Sequence, residues 1–283
     1  MDCFSLYQTG VNRLTASNIP QAEFESALFL AVILDVSRSS ILLNMPHCTE
    51  EDTVCFYSYI ERRCRKEPFA YIIGSQEFWS LDFLVSPDVL IPRPETELII
   101  EYVEKYFDKN TFKGPVLDCG TGSGILPVTL ATLYKHANFT AVDISPKALA
   151  IAGENSRRHK VSQQISFMQQ DFMAPLSFNQ SFDIIVTNPP YVDSNTFSSL
   201  QKDVVDYEPR LALDGKGDGF VIVDHLLRTL PIHLKAKGHL FMEIGFDQQQ
   251  RAEELLRSLP FYGQYKIIND YAGLPRMIHA IKT

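Results

Sequence analysis

No stretch of this 283-residue chain is apolar for long enough to cross a bilayer. The longest apolar run near the start, Ala27 to Leu34, is closed by Asp35 and reads as a buried helix. The opening residues, Met1-Asp2-Cys3-Phe4-Ser5, lack the basic segment and apolar core of an export signal. Cysteine is sparse and unpatterned. Cys3, Cys48, Cys55, Cys64 and Cys119 are odd in number and form no C-x-x-C pair, so neither a disulfide framework nor a zinc site is expected. Reduced thiols in a cytoplasmic protein are the expectation that follows. A basic excess is missing too: 26 Lys and Arg stand against 34 Asp and Glu, a formal net charge of -8. Broad gripping of nucleic acid rests on phosphate contacts and leaves a basic footprint, so the composition disfavours that partner. The seven histidines are scattered with no Ser/His/Asp or paired-His spacing, and no metal is expected. Repeats and low-complexity tracts are absent.

What is present is enough apolar material, 45% of residues, for a sizeable core, and length for about two domains. Residues 1–66 read as a helical domain. Pro20 suits a first helical position, and Phe24, Ala27, Leu28, Ala31 and Leu34 follow at helical spacing. Thr49-Glu50-Glu51-Asp52 offers a cap and first-turn acids, with Val54, Tyr57, Ile60 and Cys64 along one face. No chemical constellation lies here, so this part is expected to select a partner. Residues 67–93 read as a hairpin linker, centred on Phe78-Trp79-Ser80-Leu81. Pro94 can then open a helix running to about Phe107.

Residues 94–283 alternate strands and helices. Val116–Cys119, Phe139–Val142, Ile165–Met168, Ile184–Thr187, Leu240–Ile244, Tyr265–Ile268 and Met277–Ile281 are the expected strands. Such alternation predicts an α/β fold with a mostly parallel sheet covered by helices on both faces. The stretch 188–217 has little regular patterning and is long for a connection, which marks it as a functional loop. Asp214 to Gly219 reads as a flexible loop, and Arg157-Arg158-His159-Lys160 as a solvated cap on a helix end.

Three strand ends carry a ligand signal. Leu117-Asp118-Cys119-Gly120-Thr121-Gly122-Ser123-Gly124 lets the backbone turn tightly and approach a ligand. Its spacing departs from the dinucleotide fingerprint, since no glycine stands three residues after Gly122, so a pyrophosphate cradle is disfavoured. Asp118 can accept from a cationic amino group. Asp143 ends the next strand and can accept from ribose hydroxyls, although it could instead cap the helix at Ser145-Pro146. Asp171 and Phe172 follow the third strand, where an acid can accept from an adenine amino group and an aromatic face can pack on the ring. Phe172 could also be plain core. Together they predict a site for an adenosine-bearing small molecule.

The fourth strand runs into Asn188-Pro189-Pro190-Tyr191. Prolines fix φ and remove donors, so this segment is stiff and presents bare carbonyls. The Asn188 side-chain oxygen and the Pro189 carbonyl can grip both hydrogens of a planar NH2 group while Tyr191 stacks on its plane. Two acceptors on a delocalised nitrogen stabilise positive charge as it develops, with no protein nucleophile or metal required.

These motifs resemble the class I S-adenosylmethionine-dependent methyltransferases with a Rossmann-like sheet. The resemblance places the cofactor's methionine part on Asp118, Gly120, Thr121, Gly122, Ser123 and Gly124, its ribose on Asp143, and its adenine on Asp171 and Phe172, with Asn188 bordering it. The flanking segments narrow the family. Phe78-Trp79-Ser80-Leu81, Leu90 to Glu97, Asn188 to Val192, and Tyr207-Glu208-Pro209-Arg210-Leu211-Ala212-Leu213 resemble the bacterial release factor glutamine methyltransferases from about Pro68 onward. The N-terminal domain resembles them weakly in residues, and more in its layout of a small helical domain joined by a hairpin. Cys119 departs from the aliphatic residue usual in the turn. The resemblance implies methylation of the amide nitrogen of the glutamine in the Gly-Gly-Gln motif of class-I peptide chain release factors; separately, a monomer is expected. Asn188, Pro189, Pro190 and Tyr191 would be catalytic and substrate-binding, with Arg93 and Glu95 on the substrate wall. Glu95 and Glu97 could instead be first-turn acids. Two alternatives stay open: an exocyclic-amine methyltransferase of DNA or RNA, and a non-catalytic scaffold that binds the same cofactor.

Overall fold

The computed structural model of the chain describes residues 2–44 and 46–283. It divides into two compact units. One comprises the chain up to Ser75 together with Gln201–Tyr207, and the other Gln76–Leu200 with Glu208–Thr283. No described helix is long and apolar enough to cross a membrane.

The first unit is helical: α1 (Cys3–Ala16), α2 (Ala22–Ile33), α3 (Arg38–Asn44), α4 (Glu50–Cys64), α5 (Phe69–Ile73) and, from far along the chain, α9 (Lys202–Tyr207). The helix start read at Thr49 is a capping box, in which the Thr49 hydroxyl accepts from the Asp52 N–H at 3.1 Å while Asp52 accepts from the Thr49 N–H at 2.8 Å. The expected first helical position of Pro20 is corrected: α2 begins at Ala22, and Pro20 lies in the turn before it. Phe24 is exposed rather than on the buried face, and the Arg38 guanidinium sits over its ring at 4.5 Å. The buried face runs through Ser26, Ala27, Phe29, Leu30 and Ala31 and packs with Leu6, Leu14, Phe56 and Ile60. The stretch 188–217 is also more regular than its sequence suggests. It holds α9 and two single 3-10 turns, and the Tyr207 hydroxyl donates to the Arg65 carbonyl at 2.9 Å within the helical unit.

From Gln76 the second unit runs through the hairpin of β1 (Ser75–Phe78) and β2 (Leu81–Leu84), turned through Trp79 and Ser80, both at positive φ as a two-residue hairpin turn requires. A 3-10 turn at Pro94–Thr96 leads into α6 (Glu97–Tyr106). There follow β3 (Pro115–Cys119), α7 (Ile125–Leu133), β4 (Asn138–Asp143), α8 (Pro146–Arg158), β5 (Ile165–Gln169) and β6 (Phe182–Thr187). The chain ends with α10 (Val221–Thr229), β7 (Leu234–Glu243), α11 (Gln249–Ser258), β8 (Tyr262–Asn269) and β9 (Pro275–Lys282). All seven strands read from the sequence are present. They form one sheet in the order β5-β4-β3-β6-β7-β9-β8. Its first five strands are parallel and β9 runs antiparallel to both neighbours.

The parallel strands are apolar almost throughout because helices cover both faces. Alternation along each strand sorts the residues. Leu117, Cys119, Ile185, Leu240 and Met242 pack with Val223, Leu226 and Leu227 of α10 and Leu255 and Leu256 of α11. Val116, Ile184, Val186 and Phe241 pack with Ile99, Ile100 and Val103 of α6 and Val128, Leu130 and Ala131 of α7. After β3 the chain builds outward through β4 and β5, then returns to lay β6 on the other side of β3. That reversal opens a crevice at the carboxyl ends of β3 and β6, where open α/β sheets hold their ligands.

Asn155, fully buried in α8, ties the rim of this crevice to the hairpin. Its Oδ1 accepts from the Leu84 N–H at 2.8 Å, and its Nδ2 donates to the Leu84 and Ser123 carbonyls at 3.0 and 2.8 Å. Truncation would leave the buried Ser123 carbonyl and the part-buried Leu84 N–H and carbonyl without these partners. Asn155→Ala is therefore expected to destabilise the sheet unit by about 3 kcal/mol, read as a shift of its urea midpoint at unchanged slope. A change under about 0.5 kcal/mol would show that the three bonds are dispensable.

Candidate functional site

The parallel register pairs Cys119 with Val142 and with Thr187, and Asp143 with Gln169, so the segments after β3, β4, β5 and β6 leave the sheet at one level. Between them lies a cavity of about 550 Å³. Gly120, Thr121, Gly122, Ser123, Asp143, Asp171, Phe172, Asn188, Pro190 and Arg93 all line it. Asp118, Gly124, Pro189 and Tyr191 stand behind this wall, and Glu95 is exposed outside it.

In the turn after β3, Gly120, Gly122 and Gly124 have φ of 78°, 55° and 83°. Gly124 meets two demands at once: left-handed backbone, and a close approach in which any Cβ would stand 3.0 Å from that of Ala152 on α8. The turn's amides are mostly engaged. Gly120 and Thr121 both donate to the Val142 carbonyl (2.9 and 3.0 Å), Gly124 to the Thr121 carbonyl (2.8 Å), and Gly122 to Asp143 Oδ2 (2.9 Å). A phosphate cradle needs such amides free, so their use inside the turn agrees with the glycine spacing in disfavouring pyrophosphate.

Asp118 is 1% exposed, and neither of its oxygens receives a hydrogen bond from a described residue; the buried Thr121 hydroxyl is equally unpartnered. Burial pushes the Asp118 carboxyl up to about 7. The nearby Thr121 hydroxyl, close but not in bonding geometry, opposes the rise, and the Asp143 charge adds to it. A carboxylate held this way can be satisfied by a cation. Asp143 is raised as well, chiefly by burial, against hydrogen bonds from Ser145, Gly122 and Ile144 amides. Its two oxygens accept from Gly122 and Ser145 at 2.9 Å each, and each keeps a further acceptor site. The cap of α8 is Ser145, which accepts from the Ala148 N–H. Asp171 closes a local turn by accepting from the Met173 N–H at 2.8 Å. The Phe172 ring edge comes to 3.3 Å from where a Cβ on Gly120 would stand.

On the opposite wall, the Asn188 Nδ2 donates to the Thr96 hydroxyl at 2.9 Å, and Thr96 donates to Glu243 Oε2 at 2.7 Å. The Tyr191 hydroxyl donates to Glu243 Oε1 at 2.9 Å. Burial raises Glu243 from its ordinary value, opposed by these two bonds and by Arg276. Burial and the Glu243 charge raise Tyr191. Arg93 is held by an ion pair with the buried Glu208, whose other oxygen accepts from the Ile91 N–H at 3.1 Å. Glu97 accepts from the Trp79 N–H at 2.7 Å and so fixes the hairpin turn.

The segment 214–219 is a buttress, where the sequence suggested a flexible loop. Val192 donates to the Leu213 carbonyl, and Gly215 to that of Val192, both at 2.9 Å. The Gln248 Nε2 clamps the Tyr191 and Gly219 carbonyls at 3.2 and 3.0 Å. Gly219, at φ 84°, lies so close that a Cβ would stand 2.5 Å from the Tyr191 carbonyl oxygen. The basic run at the end of α8 is engaged locally, Arg157 with Glu154 and Arg158 with Asp82. Thr96, Glu208, Glu243 and Gln248 were not singled out by sequence reasoning. Thr96 and Glu208 lie inside the flanking segments that carry the family resemblance, the one signal that marks them; Glu243 and Gln248 carry none.

Comparison with known proteins agrees with this architecture. Residues 94–236 match the family model of the methyltransferase small domain, and residues 5–74 that of the PrmC N-terminal domain. The release factor glutamine methyltransferase of Koribacter versatilis is 37% identical over 274 residues, 96% of this chain and 95% of that protein. The protein of the same name from Moorella thermoacetica is 37% identical over 277 residues, again 96% and 95%. Among solved structures, a methyltransferase from Pyrococcus furiosus superposes with a TM-score of 0.50 at 17% identity, covering 72% of this chain and 90% of that one. The hMettl16 catalytic domain, in complex with MAT2A 3'UTR hairpin 6, gives 0.57 at 15% identity over 85% of each chain. Those two likenesses are of fold. With the relatives aligned along nearly its whole length, this chain belongs to the release factor glutamine methyltransferase family.

Proposed function

We propose that the protein methylates the side-chain amide nitrogen, N5, of the glutamine in the Gly-Gly-Gln motif of class-I peptide chain release factors, using S-adenosylmethionine. The observation that carries this reading is the pairing, at adjacent strand ends, of an unpartnered buried carboxylate with an asparagine whose NH2 is already engaged. The residues fit the cofactor. Asp118 and the Thr121 hydroxyl would take its ammonium group, Asp143 its ribose, and Asp171 and Phe172 its adenine. When bound, it supplies a sulfonium methyl open to nucleophilic attack.

The rest falls to the chain. Because Asn188 spends its NH2 on Thr96, its Oδ1 is left to accept from a substrate amide, and the Pro189 carbonyl is the second acceptor. Holding both N–H bonds would fix the amide plane and stabilise the positive charge that develops on the nitrogen, whose surplus proton would pass to solvent water. Tyr191, anchored through its hydroxyl to Glu243, stands behind the lining residues and holds the tetrapeptide in place. Arg93, oriented by Glu208, belongs to the substrate wall. The helical domain, residues 1–66, joined through the hairpin linker 67–93, would select the protein partner for the catalytic domain, residues 94–283.

Methyl transfer from labelled cofactor to unmodified release factor, run beside duplex DNA and ribosomal RNA, tests this reading. Label is expected on the Gly-Gly-Gln peptide. Asn188→Ala should lower kcat by about 10²- to 10³-fold. Its affinity for S-adenosylhomocysteine should fall by less than about tenfold, the cost of one peripheral contact. Label on nucleic acid alone would overturn the substrate assignment.

A second outcome concerns pH. With Asp118 near 7 in the free protein, an ammonium ligand requires the ionised carboxylate, so protons and ligand compete. Affinity for S-adenosylhomocysteine, measured by calorimetry, should level off near pH 8, where the carboxylate is ionised and the ligand still an ammonium, and fall toward about tenfold per unit below pH 7. Asp118→Asn should weaken binding about 10- to 100-fold at pH 8 and remove that slope, which separates Asp118 from the also-raised Asp143. A wild-type affinity independent of pH would exclude the Asp118 contact.

A further inference from the structure

Both oxygens of Glu243 are engaged, Oε2 by the Thr96 hydroxyl and Oε1 by the Tyr191 hydroxyl. A hydroxyl has a single hydrogen. With that hydrogen given to Glu243, the Thr96 oxygen can only accept from Asn188, and the Asn188 atom beside it is Nδ2 at 2.9 Å. The amide has two orientations of nearly equal shape, and only its hydrogen-bond partners choose between them. Here the choice leaves Oδ1 as the uncommitted polar atom of a residue that lines the cavity.

We infer that Thr96 and Glu243 form a positioning pair that sets the acceptor polarity of Asn188, and that this polarity makes the site take a glutamine amide and refuse a glutamate carboxylate. The inference rests on the reading of Asn188 as the clamp for a substrate amide. Two acceptors, the Asn188 oxygen and the Pro189 carbonyl, match the two hydrogens of an NH2 group and repel a carboxylate. Were the Asn188 amide turned over, its Nδ2 would point at the substrate, and glutamate would become an acceptable ligand. Glu243 prevents this at one remove. If the carboxylate were an amide, its NH2 could donate to Thr96, whose hydroxyl would then be free to donate to Asn188 Oδ1 and invert it. The same carboxylate holds Tyr191, so one buried group orients both ends of the tetrapeptide.

The test uses the full chain with an intact release factor and with a release factor whose Gly-Gly-Gln glutamine is replaced by glutamate. Binding of each is measured by calorimetry with S-adenosylhomocysteine present, beside kcat and KM for the glutamine form. Wild-type protein should prefer glutamine over glutamate by about tenfold or more, a site with two fixed acceptors rejecting the mismatched group. Thr96→Val, which keeps the shape and removes the hydroxyl, should shrink that preference to about threefold or less and lower kcat about 10- to 100-fold. Its affinity for S-adenosylhomocysteine should change by less than about threefold, since Asp118, Thr121, Asp143 and Asp171 keep their places. Glu243→Gln should behave likewise, and Thr96→Ser, which returns the hydroxyl, should restore both preference and kcat. A Thr96→Val protein with wild-type preference and rate would overturn the inference while leaving the methyl-transfer reading intact. Equal damage in Thr96→Ser and Thr96→Val would make Thr96 a packing residue and overturn it as well. A wild-type protein that transfers no methyl to release factor would remove the proposed function and this inference together.

Discussion

The parallel pairing of β3 with β6 is the constraint on which the cavity depends. It sets Cys119 opposite Thr187, and the Thr187 hydroxyl donates across that pair to the Cys119 carbonyl at 2.7 Å, locking the register at the point where both strands end. A slip of one residue would turn every side chain of β6 to the opposite face and exchange the packing of Ile184 and Val186 with that of Ile185. It would also move Asn188 relative to the glycine turn. Because both faces are buried, such a slip is strongly resisted. The geometry of the site is thus inherited from the core: two loops are held in fixed relation because the strands feeding them cannot slide.

From that fixed relation the walls are stiffened differently. The glycine turn is stiffened from within, by amides that bond Val142, Asp143 and Thr121, and from behind by Asn155. The tetrapeptide is stiffened by what surrounds it. Prolines supply two of its backbone torsions, the Gly219 loop presses on Tyr191, and Gln248 ties the two carbonyls together. Side-chain partners for Asn188 and Tyr191 come from the start of α6 and the end of β7. A binding group needs its own rotamer locked before it can discriminate between ligands. For the tetrapeptide, each locking contact comes from an element other than its own.

This division explains how much could be read from sequence. The seven strands and the glycine, Asp143, Asp171 and Asn188 segments were legible because each is a local pattern: a short apolar run ending in residues with a distinct physical role. Thr96, Glu243, Gln248 and Glu208 were not, since their meaning comes from partners 92, 147, 57 and 115 positions away. A glutamate ending an apolar strand gives no hint that it will meet a threonine and a tyrosine from elsewhere. The loop 214–219 misled for a related reason. Its glycines signal flexibility in isolation, yet Gly219 is needed where the backbone approaches Tyr191 too closely for any side chain. Helix α9 was equally hidden, six residues whose place with the helical unit depends on contacts such as Tyr207 with Arg65.

The two buried carboxylates behind the cavity show what distinguishes a structural group from a ligand-binding one. Both lie at or below 1% exposure and both are raised by burial. Glu243 recovers much of its lost hydration through two hydroxyls and the field of Arg276, and its acceptor capacity is spent on holding neighbours. Asp118 recovers almost none, so its ionised form remains costly until a cation arrives. Under the proposed function that cation is the cofactor's ammonium group, and the desolvation already suffered by Asp118 makes the contact stronger than the same pair would be in water. Filling Asp118's coordination with protein donors, as is done for Glu243, would stabilise the fold and weaken the site. The position of that one unsatisfied acid, two residues before the glycine turn, follows from a strand that had to end there for the cavity to exist.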